Sequence, residues 1–257
     1  MDWRLPISKR AAPRSVQSRY RFLIMADLSA LFDRTGAVRR PDFTQLLQEF
    51  SALLTDRPEA PDFADLPDGD GRVVLVLPGF LTSDMVTRPL RDFLEEQGFR
   101  TFGWEYGLNI GPTPGALAHL RSRVRELSEL NEAPIALIGI SLGGLLARDL
   151  AYDCSGQIRH VVTLASPFRL PTASTFEPLV RMCGPLYDPA AQIERLAMPL
   201  PVPSTAFFTR DDGVVAWESC RSDDPDCMNI EVDGHHMTIC RNPKVLTHLI
   251  ERLAGEG

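Results

Sequence analysis

No stretch near the start of the sequence comes close to the roughly 20 consecutive apolar residues that span a bilayer. The longest there is residues 22–26, so neither an integral membrane segment nor a secretory leader is expected, and the expected setting is the cytoplasm. Basic charge is in deficit: 27 Lys and Arg stand against 34 Asp and Glu, for a formal net charge of −7. The basic residues are scattered instead of gathered in a stripe, which argues against nucleic acid as a partner. Cysteine is sparse and odd in number, five in all, at 154, 183, 220, 227 and 240. No Cys-x-x-Cys spacing occurs, so no zinc set can be assembled, and a chain of this size has no need of disulfide staples. Most of these thiols are expected to be reduced; Cys220 and Cys227, which flank a polar loop, are the one pair that could bridge. With 18 Gly and 21 Pro among 257 residues, low complexity is excluded as well.

What is present is an ordinary globular composition, 44% hydrophobic and 24% charged, in a length that suits one large domain or two small ones. Residues 1–19 are basic and irregular and read as an arm. Two amphipathic helices are expected next, over 21–32 and then with Phe43, Leu46, Leu47, Phe50, Leu53 and Leu54 on one face, introduced by Pro41 and Asp42. A Pro/Asp/Gly stretch over 58–71 predicts a boundary, giving an N-terminal extension of 1–70 and a main domain of 71–257.

Within the main domain, short apolar runs rich in β-branched residues alternate with helical periodicity. Strands are expected at 73–77, 100–105, 135–140, 158–164, 205–209 and 229–232, with helices between them and an amphipathic helix closing the chain through Val245, Leu249 and Leu253. Parallel neighbours need crossover connections, so this alternation predicts an α/β fold: a doubly wound, mostly parallel sheet covered by helices on both faces. Ligands of such sheets bind beyond the carboxyl ends of the strands.

Three post-strand loops carry chemistry-bearing residues. In Gly139-Ile140-Ser141-Leu142-Gly143 the serine falls between a buried strand and a helix, with glycines where strand and helix must approach closely. Its hydroxyl would stand at the helix N-terminus, where backbone N–H groups and the dipole favour developing negative charge. Thr209-Arg210-Asp211-Asp212-Gly213 ends another strand in two aspartates and a turn. Asp233-Gly234-His235-His236-Met237 follows the last strand. The histidine pair has no third ligand nearby in sequence, so no metal site is expected. His119, His160 and His248 read as surface or satisfied core residues.

The sequence resembles the α/β-hydrolase superfamily, in particular its lipase- and esterase-like members, over residues 72–253. That resemblance implies Ser141 as nucleophile, followed in chain order by an orienting acid and a histidine base. Its post-strand acid loop implies Asp212, with Asp211 as the alternative, and its Gly-x-His-Met segment implies His236. The oxyanion donors would be the backbone N–H groups of Leu142 and of Phe80 in Leu77-Pro78-Gly79-Phe80-Leu81. Many relatives carry His-Gly where this chain has Pro78-Gly79, a departure that leaves the backbone donor intact. A small cap over 168–203, with Phe176, Met182, Leu186 and Tyr187, would roof the site, and Leu81, Tyr106, Asn109 and Phe168 are candidate pocket residues.

The implied activity is hydrolysis of a small-molecule or lipid-like carboxylic ester without a cofactor. Acyl transfer and thioester cleavage would use the same residues, and a binding protein on the hydrolase fold is the alternative from a different class. The sequence is silent on oligomeric state.

Overall fold

A computed structural model describes residues 38, 41–55, 63, 65–171, 173–175 and 194–255. The helix expected over 21–32, the cap residues Phe176, Met182, Leu186 and Tyr187, and Cys183 lie outside the described residues. The first described helix, α1 (Phe43–Thr55), precedes strand β1 (Val73–Leu77), helix α2 (Asp84–Glu96) and strand β2 (Arg100–Gly103). Helix α3 (Pro114–Asn131), strand β3 (Ile135–Ile140), helix α4 (Leu142–Asp153) and strand β4 (Ile158–Leu164) follow. Strands β5 (Ser204–Phe208) and β6 (Cys227–Glu231) and helix α5 (Pro243–Ala254) end the described chain.

The six strands form one sheet in the order β2-β1-β3-β4-β5-β6, and every neighbouring pair is parallel. Strand alternation sorts the core into two layers. Val74 and Val76 pack with Leu90 and Leu94 of α2 and with Val245, Leu249 and Leu253 of α5. Val73, Leu75 and Leu77 pack on the opposite face with Leu120 and Val124 of α3 and Leu146 and Leu150 of α4. Each such side chain, fully buried, contributes about 1.5–3 kcal/mol relative to exposure, which is why the apolar runs settle at the centre of the sheet. The chain leaves β1 toward β2 on one side and returns to β3 on the other, so the carboxyl ends of β1 and β3 flank the point where the winding reverses. A crevice opens at such a point.

Residues 38–257 cluster as one compact unit. Helix α1 therefore belongs with the sheet, although the Pro/Asp/Gly stretch at 58–71 predicts a division after it. The helix starts with a reciprocal cap in which the Asp42 N–H donates to Gln45 Oε1 at 2.9 Å and the Gln45 N–H donates to Asp42 Oδ1 at 3.0 Å. Its orientation corrects the amphipathic expectation. Phe43, Leu47, Phe50, Leu53 and Leu54 are exposed, while Glu49 and Ala52 are buried and Leu46 packs beside Val214 and Val215. The helix is rolled away from the arrangement its apolar arc favours, and the reason is polar, as the site shows. No described helix is long and apolar enough to cross a membrane.

His160, on β4, is buried with its Nε2 3.0 Å from Thr205 Oγ1. Burial, and then the positive charges of Arg159 and Arg252, push its pKa down to about 4 from 6.5. A histidine held neutral in the fold contributes stability fully present above pH 6.5 and lost as the pH falls toward 4, because the unfolded chain takes up the proton first. This single group is worth up to about 3 kcal/mol across that window. Urea unfolding of His160→Gln is expected to lose that part of the acid sensitivity; an unchanged pH slope rules the account out.

Candidate active site

Ser141 occupies the tight turn between β3 and α4 with φ 51° and ψ −117°. A non-glycine residue in this sparsely populated region costs about 1–3 kcal/mol, and the neighbouring glycines make the turn possible by letting strand and helix backbones close in around it. A Cβ on Gly139 would strike the backbone of Gly143 and Gly144, and one on Gly143 would strike the Leu77 carbonyl at the end of β1. The helix thus begins hard against the exit of β1. The loop leaving β1 lies beside the serine, since a Cβ built at Gly79 would stand 3.5 Å from Ser141 Cβ. Phe80 follows Gly79 in that loop and Leu142 follows Ser141 in the turn; among the described residues no acceptor takes the backbone N–H of either.

The β1 exit loop is braced by Asn109. This residue is 0% exposed, its Nδ2 donates to the Pro78 carbonyl at 2.7 Å, and its Oδ1 accepts from the Gly111 N–H at 3.1 Å. Its backbone pairs with the same loop, Leu81 N–H to Asn109 O at 2.8 Å and Asn109 N–H to Thr82 O at 2.9 Å. Asn109 is therefore not a wall of an open pocket: its Nδ2 is committed to the Pro78 carbonyl and its Oδ1 to the Gly111 N–H of its own loop. Asp84 adds a second tie, accepting from the Trp104 and Glu105 N–H groups at 3.0 and 2.9 Å. Neither brace is legible in sequence, because each acts on backbone brought close only by the fold.

Phe168 is also displaced from its expected role. It is buried completely, with the Arg148 guanidinium 4.1 Å above its ring. Arg148 in turn donates to the carbonyls of Leu196 and Met198 at 2.8 and 2.7 Å, so helix α4 grips the described ends of the 168–203 segment from below. Leu81 and Tyr106 remain exposed, Leu81 at φ 54° and Tyr106 packed against Trp104 and His119.

Of the two aspartates after β5, Asp211 is exposed and Asp212 is 3% exposed. Asp212 Oδ1 accepts from the Val214 and Val215 N–H groups at 2.8 and 2.7 Å, and Oδ2 lies 2.7 Å from Nδ1 of His236. With Oδ1 already occupied by backbone, Oδ2 is the oxygen that orients the imidazole. The acid loop is drawn toward the segment after β4, because the Ala216 N–H donates to the Ala173 carbonyl and the Thr175 N–H to the Val214 carbonyl across an antiparallel bridge. The acid and histidine loops are joined by Thr209, whose hydroxyl donates to the Gly234 carbonyl at 2.6 Å.

Burial by itself would depress the pKa of His236; the charge of Asp212, the hydrogen bond to it and the charge of Glu49 outweigh that and hold it above the ordinary histidine value. His235 instead turns outward, its Nδ1 3.3 Å from the Asp211 carbonyl. His119, His160 and His248 are engaged with Trp104 O, Thr205 and Glu251 respectively. The described cysteines are free thiols, Cys220 and Cys227 included. Among the described residues no group of three His, Cys, Asp or Glu is placed to hold a metal ion.

The buried residue at this site that sequence reading passes over is Glu49. It is 0% exposed, and three backbone N–H groups converge on its carboxylate: Gly213 and His236 donate to Oε1 at 2.6 and 2.9 Å, and Met237 donates to Oε2 at 2.9 Å. This is why α1 presents an acid inward and leaves apolar residues outside. A buried carboxylate is tolerated only where its oxygens are satisfied, and here they satisfy N–H groups that would otherwise be orphaned too. The one clue in the sequence is an acid on the flank of an apolar helical arc.

No protein-family model and no curated protein sequence matches the chain. Solved structures do match in fold. A monoacylglycerol lipase of Paleococcus ferrophilus aligns at 16% identity over 74% of this chain and 96% of its own, with a TM-score of 0.52. The Pyrococcus furiosus esterase Pf2001 aligns at 18% identity over 72% and 82%, TM-score 0.54. A thioesterase domain from the curacin biosynthetic pathway aligns at 14% identity over 72% and 92%, TM-score 0.53. The chain is similar to each of these in architecture, and its fold is that of the α/β-hydrolases.

Proposed function

We propose that this chain is a serine hydrolase that cleaves carboxylic esters through an acyl-enzyme on Ser141. The observation that carries the reading is the buried 2.7 Å contact between Asp212 and His236, at the sheet end where Ser141 is held in a strained turn. A serine hydroxyl is a weak nucleophile at neutral pH until a base accepts its proton. In the proposed sequence His236 Nε2 takes that proton as Ser141 Oγ attacks the ester carbonyl, and Asp212 holds Nδ1–H and stabilises the imidazolium. The N–H groups of Phe80 and Leu142 receive the oxyanion. As the tetrahedral intermediate collapses, His236 returns the proton to the leaving alcohol. A water molecule, deprotonated by the same imidazole, then releases the acid and restores Ser141.

The reading needs no cofactor from outside the chain and places the enzyme in the cytoplasm, acting on small-molecule or lipid-like esters. Similarity in fold to a lipase, an esterase and a thioesterase supports the reaction class without choosing the acyl group. A series of nitrophenyl esters from acetate to palmitate tests it. Saturable turnover is expected, and the acyl length at the maximum defines the substrate class. Silence with every ester, together with no labelling of Ser141 by a fluorophosphonate, overturns the reading in favour of a binding protein; silence with labelling points to an acyltransferase or thioesterase.

A further inference from the structure

We propose that Glu49 is a positioning residue for the Asp212–His236 pair, which makes helix α1 part of the catalytic apparatus; the inference rests on the hydrolase reading above. The acid loop and the histidine loop leave neighbouring strands separately. Thr209 ties their bases, and their tips, which meet in the Asp212–His236 and Asp211–His235 contacts, are held together in addition by one carboxylate supplied by a distant segment. Gly213 follows Asp212 directly, so fixing its N–H to Glu49 fixes the carboxylate of the acid. His236 and Met237 are held by their own N–H groups, so the imidazole is fixed at its root. The donors lie 164 to 188 residues from Glu49 in the chain.

The contact is built from both sides. Gly213 lies so close to α1 that a Cβ there would strike the Gln45 carbonyl and stand 2.8 Å from Glu49 Cγ. Its φ is not in the left-handed region, so glycine is required by the approach of the helix and not by the turn. The charged groups facing His236 are Asp212 from the acid loop and Glu49 from α1. Cys220 lies near Asp212, and burial keeps its thiol neutral by raising its pKa. Asp211 and His235 face outward.

Two consequences follow from one carboxylate. Removing it loosens the geometry in which Asp212 meets His236, and a misplacement of about 1 Å in a catalytic group costs on the order of 10²-fold in rate. Removing its charge also takes away part of what stabilises the imidazolium, so the pKa of His236 falls.

The test uses the full chain. Glu49→Gln replaces an acceptor with an amide N–H₂ that faces a backbone donor. It is expected to lower kcat by about 10- to 100-fold with KM little changed, and to move the acid limb of kcat/KM to lower pH. A role confined to folding leaves that limb where it is. Gly213→Ala keeps the charge but wedges α1 away; it is expected to reduce kcat similarly, and the double variant to be scarcely worse than either single one.

Titration of the histidine ring nitrogens by NMR reads the same shift without turnover. If the wild type hydrolyses no ester, the function fails while the His236 shift in Glu49→Gln still tests the contact. Unchanged kcat together with an unchanged His236 titration in folded Glu49→Gln overturns the proposal. Should that variant not fold, full activity in Gly213→Ala overturns it.

Discussion

Ser141→Ala is expected to abolish ester turnover, with kcat falling on the order of 10⁶-fold. The magnitude follows from what the hydroxyl alone supplies. Without Oγ no acyl-enzyme can form, and His236 has no proton to remove; what is left is whatever the Phe80 and Leu142 N–H groups contribute to direct attack by water. That residue of catalysis amounts to about 10³–10⁴ over the uncatalysed reaction when oxyanion donors and binding survive. The substitution should leave the fold intact. Alanine keeps the Cβ, so the backbone strain at φ 51° is neither relieved nor increased, and no described residue depends on Oγ for a hydrogen bond. The measurement is a pair: steady-state rates on the best nitrophenyl ester, and the intact mass after a fluorophosphonate, in which Oγ displaces fluoride from phosphorus. Wild type should gain one adduct and Ser141→Ala none. An alanine variant that retains more than about one thousandth of kcat removes Ser141 from the mechanism.

The second large effect is expected at Asp212, and the structure specifies why asparagine is the informative replacement. Oδ1 of Asp212 is occupied by the N–H groups of Val214 and Val215, which a carbonyl oxygen accepts as well as a carboxylate does. In Asp212→Asn, the new amide keeps those two bonds only by turning its N–H₂ toward His236 Nδ1. The imidazole is then driven to the tautomer with the proton on Nε2, the nitrogen that has to accept from Ser141. The acid loop stays in place while the base is disabled, so kcat should drop about 10⁴-fold at neutral pH with little change in unfolding temperature. Asp211→Asn, on the exposed neighbour, should cost little. Equal losses at the two positions, or a loss at Asp212 of less than about tenfold, would falsify the assignment of Asp212 as the orienting acid.

The raised pKa of His236 bears on both measurements. A general base works as the neutral form, so activity should rise with pH through a value higher than that of an ordinary histidine. Rates for variants should therefore be compared as full pH profiles, so that differences in the protonation of His236 do not masquerade as differences in chemistry.

Much of the fold is legible before any coordinates. The runs at Val73–Leu77 and Ile135–Ile140 are strands because five or six successive apolar residues have no polar face to show to water, and the sheet buries them on both sides. Boundaries shift by one or two residues at β2, β5 and β6, where pairing and not composition sets the end. The serine turn is legible for the same local reason: Gly139, Ser141 and Gly143 act on one another within a single short loop.

Helix α1 shows where this kind of reading stops. Its apolar arc is a true property of the sequence and predicts the wrong face, because the preference of exposed leucines for burial is opposed by three backbone donors that need an acceptor. An unsatisfied buried donor costs about 1–3 kcal/mol, and three of them outweigh an arc that remains partly covered in any case. Asn109 and Phe168 were legible as residues near the site but not as what they do, one bracing backbone and one packed beneath Arg148.

The sequence by itself determined the strand and helix order, the serine in its glycine-flanked turn, and the short list of acids and histidines that follow strands, since each depends on neighbours within a few residues. Only the tertiary structure decided that Asp212 and not Asp211 meets His236, that the Pro78-Phe80 backbone is held by Asn109, and that Glu49 joins the two loops. Those are choices of hydrogen-bond partner between segments as much as 188 residues apart, and a side chain's partner at that distance is set by where packing of the sheet brings the backbone, which no local pattern encodes.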